Sequence, residues 1–191
     1  MKRVDIRDQR RILDDFFKVD EAHLSYERFD GSMSPTVRRL NFERGDSVAA
    51  VVYDTAARRL LFTNQFKYPT YEKGPGWITE IMAGSIEHGE SPESAIRREI
   101  REELGYRVSA VEHVSTFYVT PGGSSERIVL YYIEVSEPAR EGRGGGVASE
   151  GEDIRTIALT LEEAQQQIAT GEIMDAKTII GILWLSNRLS R

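Results

Sequence analysis

Residues 84–106 read GSIEHGESPESAIRREIREELGY, and this stretch decides the fold. Ser91 is a favoured helix N-cap and Pro92 suits the first helical position. Glu93 suits the positive end of the helix dipole, and Gly105 supplies a left-handed stop. The spacing predicts a helix over 91–104, with Ile96, Ile100 and Leu104 four apart as its buried stripe. Glu99, Glu102 and Glu103 stand at i, i+3 and i+4, so they share one face along the border of that stripe. Carboxylates crowded at the edge of a core repel each other unless something neutralises them. Arg98 reaches Glu102 four residues on but cannot neutralise all three. Hard oxygen donors in such a cluster suit Mg²⁺ or Mn²⁺, with substrate phosphates completing the metal's shell. A bare Glu-x-x-Glu-Glu also reads as a solvated acidic helix face, because Glu and Arg are good helix formers. The flanking sequence has to separate the two readings.

Working outward, Ile78–Ala83 reads as a short strand that leads into this stretch. Ser47–Tyr53 is a near-continuous apolar run, as expected of a central strand. Leu60–Phe66 returns after a turn at 54–59, and Tyr68–Trp77, with its Pro and Gly residues, reads as a loop. Val114–Val119 and Ile128–Val135 are further strands flanking a Pro121-Gly122-Gly123 loop. Residues 138–151 are rich in Gly and charge, which predicts a mobile loop. Ile154–Leu159 reads as a strand, Thr160 caps a helix over 161–169, and a last helix spans 175–189. Upstream, residues 11–44 read as three short strands and turns that cannot bury both faces alone. They need the rest of the chain or a second copy to pack on. Mixed strands with two or three helices give an α+β layered domain.

The bulk numbers set bounds. The chain has 191 residues, no cysteine, 40% apolar and 29% charged residues, and a formal net charge of −6. That length suits one ordinary domain, or one domain with a small appendage. No apolar run approaches the roughly 18–20 residues of a membrane span, and the charged start lacks the apolar centre of a signal peptide. Without cysteine there is no disulfide and no thiolate zinc site, so a cytoplasmic location is the default. An acidic chain argues against a nucleic-acid backbone as partner. It suits a phosphorylated small molecule if a metal cation inverts the local field.

The flanking sequence then speaks. Gly84, Glu90, Arg98, Glu99, Ile100, Glu102, Glu103, Gly105 and Tyr106 match the pattern G-x5-E-x7-R-E-U-x-E-E-x-G-U, where U is bulky and apolar. The stretch resembles a complete Nudix box. The resemblance implies an α/β/α sandwich around a mixed sheet, with a small N-terminal antiparallel β subdomain. Residues 1–45 would form that subdomain and residues 46–191 the hydrolase domain. It implies catalytic metals on Glu99, Glu102 and Glu103, with the carbonyl of Ala83 as a further ligand. Arg98 would orient the carboxylates and Glu90 would support the loop. A metal so held polarises phosphate and acidifies water.

Beyond the box, Asn41–Gly45, Asn64–Tyr68 and Glu80–Gly84 resemble ADP-ribose pyrophosphatases and their GDP-mannose-cleaving relatives. Pro121, fifteen residues past Tyr106, is similar to a marker of the ADP-ribose branch, though Pro-Gly-Gly is also an ordinary loop. Gly144–Val147 resembles the GDP-mannose enzymes more. Both branches share the pattern at Glu150–Ile154, which implies a general base from a loop that closes on substrate. Glu150 is the first choice and Glu152 the second. Lys67 is a candidate phosphate partner where relatives carry Arg, and a lysine offers a point charge instead of a fork. Glu80 is assigned to the metal site, to ribose hydroxyls, or to a structural strand end. His23, His88 and His113 show no metal spacing. The branch also implies that residues 11–44 exchange between two subunits, giving a homodimer. The expected activity is Mg²⁺-dependent hydrolysis of ADP-ribose or a related nucleoside diphosphate sugar, without nucleic acid or membrane. GDP-mannose as main substrate, or a non-catalytic ADP-ribose-binding module, stand as alternatives.

Overall fold

The computed structural model describes residues 2–147, 149 and 151–190. The chain divides into two compact units, Met1–Asp46 with Tyr118–Arg127, and Ser47–Phe117 with Ile128–Arg191.

The first unit is built on a three-stranded antiparallel sheet in the order β1 (Val4–Asp14), β2 (Lys18–Tyr26), β3 (Val37–Glu43). The first strand therefore starts at Val4, inside the charged segment that sequence patterning left outside the strands. The reason is that almost every residue of β1 is exposed. With no buried face, it shows no apolar alternation to read. It is held by cross-strand charge pairs instead. Arg10 of β1 and Arg38 of β3 both bond the buried Glu21 on β2, and Arg11 Nε lies 2.9 Å from Asp20. Phe17 and Phe42 add a ring pair at 5.0 Å.

The second unit contains a six-stranded mixed sheet. Its strands are β4 (Ser47–Asp54), β5 (Arg59–Phe66), β6 (Trp77–Ser85), β7 (Glu112–Tyr118), β8 (Arg127–Val135) and β9 (Arg155–Leu159). Their order across the sheet is β7-β8-β4-β6-β5-β9, with β4 parallel to β8 and antiparallel to β5 and β6. β4 shows why its sequence is apolar at successive positions. Val48, Ala50 and Val52 belong to one core cluster with Ile96, Ile100 and Leu104. Ala49 and Val51 belong to another with Ala164, Ile182 and Leu185. A strand covered on both faces reads as a continuous apolar run. Helix α2 (Pro92–Glu99) therefore covers one face, and α3 (Leu161–Thr170) and α4 (Ala176–Leu189) the other. This is the expected α+β layered arrangement.

Two local departures matter. The loop after β5 holds a single helical turn, α1 (Tyr68–Tyr71). The helix of the opening stretch is α-helical only to Glu99; Ile100–Leu104 is a π-helical turn, closed by Gly105 in the left-handed region at φ 77°. The widened turn keeps Ile100 and Leu104 buried with Ile96 while turning Glu103 inward beside them. Such turns recur at functional sites.

The sheet also forks. β4 and β5 pair at Val52–Asp54 with Arg59–Leu61. Further along, β6 lies between them, pairing with β5 through Trp77–Ile81 and with β4 through Met82–Ser85. The switch falls between Ile81 and Met82.

Candidate active site

The opening stretch delivers its charged side chains to the mouth of this fork. Ser91 Oγ accepts from the Ser94 amide at 3.2 Å and starts α2. One turn later, Arg98 gathers five acceptor oxygens from four residues. Its Nε and Nη2 bond the two oxygens of Glu90, each at 3.1 Å. Its Nη1 bonds Glu99 Oε1 at 2.9 Å and Glu102 Oε2 at 3.2 Å, and Nη2 also donates to the Ser85 carbonyl at 3.1 Å. The planar guanidinium fork makes this multiple bonding possible. The Arg98 bonds hold the Glu90 carboxyl below its ordinary range, and those carboxylates hold Arg98 firmly charged, against its partial burial.

Glu99 lies directly on β6. A Cβ placed on Gly84 would sit 1.9 Å from Glu99 Oε1, so only glycine lets the carboxylate approach the strand this closely. Burial pushes the Glu99 carboxyl up; Arg98 opposes this, and Glu102 and Glu152 add to it.

Glu103 is the anomaly. It is 5% exposed, and its Oε2 is buried with no hydrogen-bond partner among the described residues. Burial, reinforced by Glu99, Glu80 and Glu152 and opposed by Lys67, pushes its carboxyl up to about 8. A buried polar atom without a partner costs on the order of 1–3 kcal/mol, more if charged. A carboxylate kept there calls for a cation. Among the described residues, no group of three or more carboxylates or imidazoles converges on one point as a cage, because Arg98 draws Glu99 and Glu102 to itself. Mg²⁺ needs no such cage; one or two carboxylates with water and substrate phosphates suffice. The unsatisfied oxygen of Glu103, flanked by Glu99 and Glu102, fits such an ion. Ala83 sits on β6 beyond the switch, where that strand pairs only with β4.

Part of the 138–151 loop packs on the box helix. Its described glycines dock on the end of the π turn: Gly145 and Gly146 donate their amides to the carbonyls of Glu103 and Glu102 at 2.9 and 3.1 Å. The loop thus satisfies carbonyls that a helix end leaves unpaired. Glu152 follows, its Oε2 accepting from the Val147 amide at 2.8 Å, and its charge is felt at both Glu99 and Glu103. Glu150, the first-choice base, lies outside the described residues. Pro121 belongs to the other compact unit, where it is exposed in the turn that follows Thr120.

Lys67 and Glu80 meet: the Lys67 ammonium is 3.2 Å from Glu80 Oε1. Glu80 Oε2 is bonded by Lys177, which also lies 3.0 Å from Asp175. Sequence reading missed Lys177. The signal was available, because Lys177, Gly181 and Leu185 fall four apart on the buried stripe of α4. A lysine at a core position requires a partner. Trp184 is half-buried at the margin of the core, 5.3 Å from the Tyr132 ring.

Known proteins agree with this geometry. A NUDIX domain model matches residues 43–179. The chain is 36% identical over 171 residues to an ADP-ribose pyrophosphatase of Escherichia coli (strain K12), covering 89% of this chain and 81% of that one. It is 35% identical over 179 residues to a GDP-mannose pyrophosphatase of Pectobacterium atrosepticum, covering 93% and 91%. The crystal structure of an ADP compounds hydrolase superposes with a TM-score of 0.74 over 98% of this chain and 94% of that one, at 15% identity, a likeness of fold. With the box intact from Gly84 to Tyr106 and its carboxylates gathered around Arg98 and Glu103, the chain belongs to the Nudix family and is a Nudix hydrolase.

Proposed function

We propose that this protein hydrolyses the pyrophosphate bond of ADP-ribose, or of a related nucleoside diphosphate sugar, to a nucleoside monophosphate and a sugar phosphate, with Mg²⁺ as cofactor. The observation that carries this reading is the buried, unpartnered oxygen of Glu103 beside Glu99 and Glu102. Glu99, Glu102 and Glu103, with the carbonyl of Ala83, would hold Mg²⁺, which supplies charge neutralisation for the phosphates and acidifies water.

The chain's own groups do the remainder. Arg98 orients Glu99 and Glu102 through its hydrogen bonds to both. Lys67, half-exposed beside Glu80, offers a positive charge to a phosphate oxygen. A loop carboxylate takes the proton from the attacking water, and Glu150 and Glu152 are the candidates. Glu152 has support from its charge acting on Glu99 and Glu103. The water oxygen joins one phosphorus, that phosphorus's bond to the bridging oxygen breaks, and the other phosphate leaves with the bridging oxygen as the second product. Pro121 is kept as a candidate substrate-binding residue. Residues 1–45 are assigned to dimerisation between two copies, since the strands of that sheet leave Val4, Ile6, Leu13 and Leu40 exposed. Among the described residues, no helix is long and apolar enough to cross a membrane; a cytoplasmic location, without membrane or nucleic acid as partner, is part of the proposal.

A second reading, GDP-mannose as main substrate, is favoured by a specific feature. Gly145 and Gly146, within the Gly144–Val147 segment that resembles the GDP-mannose enzymes, donate their amides to the backbone carbonyls of Glu103 and Glu102, two of the proposed metal ligands. The test is release of AMP from ADP-ribose against release of GMP from GDP-mannose, with the purified protein and Mg²⁺. A higher kcat/KM for ADP-ribose supports the first reading and a higher value for GDP-mannose the second. Turnover of neither refutes the proposed activity.

A further inference from the structure

Glu80 is buried, and both its oxygens are engaged, Oε1 by Lys67 and Oε2 by Lys177. Lys177 is buried too, at 9% exposure, and its ammonium also reaches Asp175 at 3.0 Å. Asp175 is the N-cap of α4, its Oδ2 accepting from the amide and the hydroxyl of Thr178 at 2.9 and 2.5 Å. Thr178 Oγ1 in turn accepts the Ile81 amide at 2.9 Å. Ile81 is the last residue of β6 paired to β5 before the strand switches to β4. The first turn of α4 therefore plugs the fork of the sheet. Thr178 satisfies the strand's amide, and Lys177 holds the carboxylate of the residue before it. By contrast, Lys67 extends a flexible four-carbon stem and is 40% exposed. Left alone, its ammonium would sample many positions, and ordering it on binding would reduce affinity.

We propose that Lys177 is a positioning residue: by fixing Glu80 against the start of α4, it makes Glu80 a rigid anchor for the Lys67 ammonium, and so holds Lys67 where the substrate's phosphates bind. The inference rests on the proposed pyrophosphatase reading, in which Lys67 meets phosphate. It assigns Glu80 to neither metal nor ribose.

The test uses the full-length protein with Mg²⁺. It reads Kd for inorganic pyrophosphate by calorimetry beside KM and kcat for the sugar nucleotide, in Lys177→Met, Lys177→Arg, Lys67→Met, the Lys67→Met/Lys177→Met double variant and the Glu80→Gln/Lys177→Met double variant. Lys177→Met raises KM and the pyrophosphate Kd by about tenfold and moves kcat far less, because a binding group is loosened while the chemistry is untouched. Lys177→Arg recovers most of the loss. The Lys67→Met/Lys177→Met variant binds no worse than Lys67→Met, since both act on one contact. Glu80→Gln/Lys177→Met leaves no buried charge unpaired, so it folds even if Lys177→Met does not, and its Kd stays raised. Wild-type affinity in that variant would show the ion pair to be structural only and overturn the proposal. Multiplying losses for Lys67→Met and Lys177→Met would overturn it by making Lys177 an independent contact. A wild type that binds no pyrophosphate would overturn it as well. Absence of sugar-nucleotide turnover alone counts against the proposed activity, and the pyrophosphate series still reads the positioning.

Discussion

Glu80 and Glu103 are the same residue type, buried to the same degree at 8% and 5% exposure, and close enough that one raises the pKa of the other. Their surroundings are opposite. Glu80 has a lysine on each oxygen. Glu103 has an oxygen with no partner among the described residues. A folded protein leaves few buried polar atoms unpaired, and burying charge without a partner is costly. A carboxylate with full internal pairing is part of the framework. One left unpaired beside it marks where something from outside completes the structure. On the proposed reading, the pair separates scaffold from reactive centre on physical grounds, without reference to which residue matches a motif.

The strongest way to break the comparison is Glu103→Gln. The amide keeps the shape and removes the charge. Turnover should fall on the order of 10³-fold, because several kcal/mol of transition-state stabilisation depend on the held cation, while the metal-free protein melts no lower than wild type. Near-normal kcat in a folded Glu103→Gln protein would put the reactive centre elsewhere.

A smaller effect sharpens the comparison through pH. Glu103 titrates near 8 in the folded chain against an ordinary 4.5. Between those values the folded state holds a proton that the unfolded state has lost. Metal-free stability should therefore fall as pH rises from about 4.5 to about 8, and level off above, with Glu99 acting in the same direction. The difference in unfolding free energy between wild type and Glu103→Gln isolates this contribution, at up to a few kcal/mol. Saturating Mg²⁺ should flatten the slope, since a cation favours the carboxylate. An identical pH profile in both proteins without metal would mean that Glu103 is not desolvated.

The smallest effect is expected at Gly84→Ala. The new methyl must displace Glu99 from β6, but Arg98 still holds that side chain from the other side. Metal affinity or kcat should drop by about 10- to 100-fold with little loss of stability, as for other changes that misorient a ligand. If both were unchanged on titration with Mg²⁺, the close approach of Glu99 to β6 would have no functional weight.

Different parts of the molecule were unequally legible. The capped start of α2, its Ile96–Ile100–Leu104 stripe and the Gly105 stop were readable, because local sequence sets caps and periodicity. The switch from α to π winding at Ile100 was not. It leaves the stripe's spacing intact and is stabilised from outside, by Gly145 and Gly146 bonding the carbonyls of Glu103 and Glu102. The same contacts made a loop out of composition into a docked segment. β1 escaped reading because its partners are charges on β2, and charge pairs carry no period. Lys177 was legible only as a buried position, from its spacing with Gly181 and Leu185; its partner Glu80 lies 97 residues away and is fixed by the fold.

The sequence by itself determined the Nudix box, the helix that carries it, the central strand buried on both faces and the acidic, cysteine-free character of the chain. These follow from patterns within some twenty residues, where propensity, capping and periodicity act. Only the tertiary structure decided which carboxylate is paired and which is not. Glu80 and Lys177 are 97 residues apart in the chain, and the fork of β6 between β4 and β5 brings them together while leaving Glu103 alone. Burial and pairing are properties of what surrounds a side chain, and that is settled when the sheet closes on its helices.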